Sequence, residues 1–178
     1  MIQRLNWGCG GAGVPGWINS DIREGPRIDI NSDIRAGLPL ESDTIDYAVS
    51  VHALQEIPYP DLVPVLQELR RVLLKGGVLR LVVPDLERAI HAYLNGDRGY
   101  FLVPDSDAES LGGKLVTQIM WYGYSRTPFT FDFLQEALHK AGFRSVVRCG
   151  FRETASRFPK IVELDNREAE SLFVEAVK

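Results

Sequence analysis

Residues 46–83 switch hydrophobic period twice, and that switch limits the fold more than any other stretch of the chain. Asp46 to His52, D-Y-A-V-S-V-H, is a nearly continuous apolar run, the pattern of a strand buried on both faces of a sheet. Pro60 and Asp61 then open a segment in which Leu62, Val65, Leu66, Leu69, Val72 and Leu73 recur at the i, i+3, i+4, i+7 spacing of one helical face. Pro64 falls in the first turn, where a missing amide costs little. Lys75-Gly76-Gly77 predicts the helix end, with a cation in the last turn and glycine just beyond it. Val78 to Val83 predicts the next strand. Strand, helix and strand joined by a crossover, which is almost always right-handed, make the chain α/β.

A second constraint lies at the start of the chain. Residues 5–16 read L-N-W-G-C-G-G-A-G-V-P-G, a small-residue loop directly after a short strand, Gln3 to Trp7. Glycines let a backbone come close to a ligand, and in such sheets nucleotide-type ligands sit at the C-terminal ends of the strands. Gly8, Gly10 and Gly13 also fit G-x-G-x-x-G, so the loop alone does not name its ligand. In dinucleotide binders a helix follows the third glycine, and its amides hold a pyrophosphate. Here Val14-Pro15-Gly16 leads straight into the extended run Trp17 to Ile22, which leaves no room for that helix. A cofactor without phosphates, such as S-adenosylmethionine, has no need of the dipole. It needs close backbone approach and an acid for its ribose.

Further strands are predicted at Ile18–Asp21, Arg27–Ile30, Val146–Cys149 and Ser171–Ala176, with helices at Leu86–Leu94 and Leu115–Tyr124. The glycine- and aspartate-rich stretch 95–113 reads as loop, and Thr130 is placed to cap a helix over Phe131–Ala141 that Gly142 ends. At 178 residues and 45% hydrophobic, the chain has the size and core of one domain. A net charge of −4 gives no general attraction to nucleic acid or an anionic membrane. No apolar run approaches the roughly 20 residues of a membrane span. Cys9 and Cys149 are too far apart for a metal-binding spacing, so no metal is expected and a soluble protein of the reducing cytoplasm is the expectation.

Four segments in order, LNWGCG (5–10), GWINSDI (16–22), SDIRAGLPLESDTIDYAVSVHALQEI (32–57) and LQELRRVLLKGGVLRLVVPDLE (66–87), resemble the class I S-adenosylmethionine-dependent methyltransferases, in particular the small type-11-like group. FTFDFLQEALHKAGF (129–143) and LDNREAESLFVEAVK (164–178) look like that group's closing helix and last strand. The resemblance implies a Rossmann-like, doubly wound, seven-stranded sheet, mostly parallel with an antiparallel last strand. It implies S-adenosylmethionine as cofactor and one domain over 1–178, with a lid or substrate-covering insertion at about 95–130. Carried over by position, Asn6, Gly8, Cys9 and Gly10 would border the methionine part, and Asp21, followed by Ile22, would accept from the ribose hydroxyls. Asp33 and Ile34 would meet the adenine; Ser50, Val51 and His52 would lie near the sulfonium. Two departures stand out: Asn6 occupies a position that is acidic in the family, and Leu54-Gln55-Glu56-Ile57 replaces a common L-E-H-I.

Several residues keep two readings. His52 ends a predicted strand, where it serves as a general base or simply bonds a neighbouring loop. Asp85 binds substrate or caps the helix at Leu86. Trp121, Tyr124 and Arg126, with Tyr122 and Phe129, form a substrate lid or an apolar patch against another subunit, so a homodimer is a candidate assembly. The function expected is methyl transfer to a small soluble acceptor such as a sugar or another metabolite. The alternatives are a nicotinamide-dinucleotide oxidoreductase and a non-catalytic S-adenosylmethionine-binding module.

Overall fold

The strands read from the sequence join in one seven-stranded sheet. In the computed structural model, which describes residues 2–11 and 13–178, they are β1 (Arg4–Trp7), β2 (Ile18–Asp21), β3 (Ile30–Asn31), β4 (Ile45–Val51), β5 (Leu73–Pro84), β6 (Ser145–Cys149) and β7 (Ser171–Val177). Ala12 of the glycine loop lies outside the described residues. The spatial order is β3-β2-β1-β4-β5-β7-β6. The pairs from β3 through to β5 are parallel, and β7 runs antiparallel to both β5 and β6. The expected Rossmann-like α/β sheet with an antiparallel last strand is what the chain builds. Its helices are α1 (Tyr59–Val72), α2 (Leu86–Leu94), α3 (Leu111–Met120) and α4 (Phe131–Lys140).

Side chains alternate along each strand, and here the two sets enter two different cores. Leu5, Leu79, Leu81 and Leu172 meet Leu62, Leu66 and Leu69 of α1 and Leu134 and Leu138 of α4 in the larger core. None of these leucines is more than 1% exposed, and burying each is worth about 1.5 to 3 kcal/mol. On the opposite face Tyr47, Val49 and Val78 meet Trp17, Phe158 and Ile161. Among the described residues this second core takes nothing from an α-helix. It is closed by the loop before β2 and by a 3-10 turn at Pro159–Val162, inside the long connection from β6 to β7.

A buried charge fastens that connection to the sheet. Arg80 of β5, fully buried, makes a two-pronged pair with Asp165 at 2.7 and 2.6 Å and bonds Glu175 of β7 at 2.8 Å. Its remaining N–H groups donate to the carbonyls of Glu153 and Gly150. Such a group is tolerable inside a protein only when its donors are met in this way.

Four local expectations need correction. Helix α1 ends at Val72 without using a glycine, and the chain passes directly into β5, where Leu73 already pairs with Ile45. The three residues Lys75-Gly76-Gly77 are a bulge inside that strand, and Lys178 Nζ, from the far end of the chain, bonds the carbonyls of Arg71 and Leu73. The third strand is confined to Ile30–Asn31, because Arg27 and Ile28 turn back on Gly25. Helix α3 begins at Leu111, four residues before the predicted start, with the Ser110 hydroxyl accepting the Gly113 amide at 3.0 Å. Thr130 does occupy the cap position of α4, but its hydroxyl bonds Asp132 instead of a backbone amide.

Candidate functional site

The parallel strands end at a cleft of about 1020 Å³. Its walls include Asn6, Gly8, Cys9 and Gly10 after β1, Asp21 and Ile22 after β2, Asp33 and Ile34 after β3, and Val51 and His52 after β4. The sheet therefore brings together nearly all the residues that the sequence assigned to a cofactor, at the strand ends where α/β folds bind ligands. Tyr124 and Arg126 reach the same cleft from the segment after α3. Ser50 does not. Its neighbours Val49 and Val51 face the second core, so Ser50 points to the other side of the sheet, fully buried beneath Gly8.

No helix follows the glycine loop among the described residues, and the side chain of Asn19 does the work of shaping it. The Asn19 amide accepts from Val14 N and from Asn6 Nδ2, and it donates to the carbonyls of Val14 and Trp17. Asn6 thus helps fix the loop through a side-chain hydrogen bond to Asn19. Asp21 holds the loop from the other side: one carboxylate oxygen accepts the Gly10 amide at 2.6 Å and the other accepts Arg23 N at 2.8 Å. Gly8 has φ +68°, and a Cβ there would lie 2.2 Å from the Ala53 Cβ, so glycine is required for β1 to approach the end of β4. Gly10 has φ +59°, yet an added Cβ would meet no protein atom within 4 Å. Burial, with the nearby Asp21 carboxylate as the next cause, pushes the Cys9 thiol up to about 11, which keeps it protonated and unreactive.

Asp33 faces the cleft with its carboxylate already engaged. It accepts the Arg35 backbone amide and a two-pronged guanidinium contact, the shortest at 2.6 Å, and the Arg35 hydrogen bond holds its pKa below the usual carboxylate value. Ile34 is 4% exposed and belongs mainly to the core, whereas Ile22 is 61% exposed at the cleft and offers it an apolar surface.

His52 sits at φ +51°, a conformation uncommon for a residue with a side chain and one that concentrates at functional sites. Its Nε2 lies 2.8 Å from the Ser171 hydroxyl. Burial, followed by the nearby Arg167 guanidinium, pushes its pKa down to about 3, so the ring is neutral through the physiological range.

Beside the cleft lies a second cavity of about 130 Å³, which shares His52, Glu56 and Arg167 with it. Asp85 and Trp121, two of the residues assigned to substrate, line this pocket and not the main cleft. Asp85 spends its carboxylate on structure: Oδ1 caps α2 by accepting Arg88 N, and Oδ2 pairs with Arg148 at 2.8 Å. The sequence reading passed over Gln55, Tyr100, Gln118 and Glu170, which also line the pocket. Arg167 and Glu170 arrive from the β6–β7 connection, and no local pattern ties that segment to the strand ends.

Residues 14–81, from the loop before β2 into β5, match a family model described as a methyltransferase domain. No curated protein sequence matches the chain. Among solved structures, a Thermotoga maritima protein described as a SAM-dependent methyltransferase, possible histamine N-methyltransferase, superposes with a TM-score of 0.59 at 20% identity, covering 100% of this chain and 83% of that one. A SAM-dependent methyltransferase from Archaeoglobus fulgidus gives 0.60 at 16% identity, over 99% of this chain and 86% of that one. One from Mesorhizobium loti gives 0.57 at 19% identity, over 99% and 91%. The chain has the class I S-adenosylmethionine-dependent methyltransferase fold. Together with the family match, this supports a methyltransferase whose cofactor is S-adenosylmethionine. Among the described residues, no α-helix contributes to the core on the second face of the sheet. The β6–β7 connection covers that face and supplies Glu163 to Arg167 to the cleft wall. No helix among the described residues is long and apolar enough to cross a membrane.

Proposed function

We propose that the chain transfers the methyl group of S-adenosylmethionine to a small soluble acceptor of metabolite size, with the cofactor in the cleft and the acceptor entering beside His52. The observation that carries this reading is the joint between the two cavities: the 1020 Å³ cleft and the 130 Å³ pocket meet at His52, Glu56 and Arg167. The groups lining the cleft fit the cofactor. Asp21 uses one acceptor position on each oxygen for the glycine loop and keeps further lone pairs for two ribose hydroxyls. The open space over Gly10 admits close backbone approach, and Ile22 supplies an apolar face for the adenine. Asp33 contributes to the adenine only if Arg35 yields part of its contact. Once bound, the cofactor supplies an electrophilic methyl on a cationic sulfur, so holding the nucleophile in line accounts for much of the rate.

The rival dinucleotide reading loses its support because no helix N-terminus follows the glycine loop among the described residues. Calorimetric titration with S-adenosylhomocysteine and, separately, with NAD tests the methyltransferase reading. Tight binding of the first and none of the second is expected. The opposite result would overturn the reading, and S-adenosylhomocysteine binding without turnover on any acceptor would favour the non-catalytic module.

A further inference from the structure

Gln55, which lines the 130 Å³ pocket, carries a buried hydrogen-bond acceptor without a donor. Gln55 is 7% exposed, its Nε2 donates to the His52 carbonyl at 2.7 Å, and among the described residues its Oε1 has no partner. A buried acceptor left unmet costs about 1 to 3 kcal/mol, so a bound group that donates to it is favoured. Among the carboxylates of the lining, Glu170 is paired with Arg167 at 3.3 Å and Asp85 with Arg148 at 2.8 Å, whereas Glu56, which also lines the cleft, has no ion pair among the described residues. Tyr100 registers their field: burial first, then Asp85 and Glu170, push its hydroxyl up to about 12. The volume is close to the roughly 150 Å³ of a cavity that accepts a benzene ring, so only a small group enters.

Resting on the methyltransferase reading, we propose that this pocket binds the acceptor as a small primary or secondary amine, whose N–H donates to Gln55 Oε1 near the unpaired carboxylate of Glu56. The chemistry of the lining separates an amine from an alcohol. An alcohol needs a base poised near the working pH to become a nucleophile. His52, whose pKa burial pushes down to about 3, is too weakly basic for that. An amine arrives as its ammonium ion and frees a lone pair by giving one proton to water through the open cleft. That pair forms the new nitrogen–carbon bond as the carbon–sulfur bond breaks with its electrons to sulfur, and the resulting ammonium releases one proton to water through the open cleft. Gln55 acts as a positioning residue: by accepting one N–H it fixes the direction in which the lone pair faces.

The test uses the full chain with S-adenosylhomocysteine and a matched pair of probes, cyclohexylamine and cyclohexanol, with affinities read by calorimetry or ligand-observed NMR. The amine is expected to bind at least about tenfold more tightly than the alcohol. Gln55→Leu is expected to remove most of that preference while leaving S-adenosylhomocysteine affinity within about twofold. Equal binding of the two probes, or an undiminished preference in Gln55→Leu, overturns the amine proposal alone. Failure of S-adenosylhomocysteine to bind the unmodified chain overturns the methyltransferase reading on which it rests. If Gln55→Leu does not fold, Glu56→Gln takes its place and is expected to lower the amine-to-alcohol ratio; an unchanged ratio there also overturns the proposal.

Discussion

The Asp21 carboxylate accepts the Gly10 amide at 2.6 Å, so the acid at the end of β2 holds in place the loop that closes over the strand ends. One side chain thereby shapes the loop and offers its spare lone pairs to a ribose. Charge-assisted bonds of this kind contribute about 1.5 to 3 kcal/mol each. Asp21→Ala is expected to weaken S-adenosylhomocysteine binding by about 1 to 3 kcal/mol and also to lower the thermal midpoint of the cofactor-free protein. Unchanged affinity in calorimetry would remove Asp21 from the cofactor site.

Gly8 and Gly10 predict opposite phenotypes although both have positive φ. At Gly8 an alanine Cβ would fall 2.2 Å from the Ala53 Cβ, so Gly8→Ala is expected to cost stability through strain and overpacking, each about 1 to 3 kcal/mol. Adding Ala53→Gly should recover the overpacking part. Gly10→Ala meets no protein atom within 4 Å and bears the backbone strain only. Its main effect should fall on cofactor affinity. Chemical denaturation and S-adenosylhomocysteine titration of the variants separate the two effects; equal cofactor affinity in Gly10→Ala and the parent would contradict close approach at that position.

What the sequence disclosed follows the range of the forces involved. The β4–α1–β5 unit was readable because its periods are local, and the strand-end residues from Asn6 to His52 were readable because parallel topology gathers strand ends together. The end of α1 is not legible locally because its last carbonyls, Arg71 and Val72, are met by the Asp43 and Thr44 amides, with Lys178 also on Arg71, and not by Gly76. Of the neighbours Ser50 and Val51, only Val51 lines the cleft, because strand alternation turns adjacent side chains to opposite faces. Arg167 and Glu170 escaped notice because only the β6–β7 connection, fastened by Arg80, carries them to the pocket. Asp85 was correctly offered two roles, and its contacts to Arg88 and Arg148 select the cap.

Arg80 tests how far that connection matters. Removing one member of a buried ion cluster leaves the others uncompensated and typically costs about 3 to 5 kcal/mol. Arg80→Met is expected to destabilise the protein on that scale, with Asp165 and Glu175 left buried at 5% and 2% exposure. Because Asp165 sits between Leu164 and Asn166 in the cleft wall, cofactor affinity should fall as well. Replacing all three by apolar residues should restore much of the stability. Urea denaturation of the single and triple variants measures the first effect, and a single variant as stable as the parent would show that the cluster contributes little.

His52 gives a pH dependence with a definite sign. In the folded protein its pKa is pushed down to about 3, against an ordinary value of 6.5. Between those values the unfolded chain binds the proton and the folded protein does not, so stability rises with pH across the window. The contribution is fully present above pH 6.5 and is lost as the pH falls towards 3, with a slope of at most about 1.4 kcal/mol per pH unit. Replacing His52 by glutamine keeps a polar side chain near Ser171 and removes the titration. The stability of His52→Gln, measured by urea denaturation at pH 7 and at pH 4.5, should therefore fall less on acidification than that of the parent. Parallel losses in the two proteins would mean that the folded His52 titrates close to its ordinary value, and a basic role for this ring would then return to consideration.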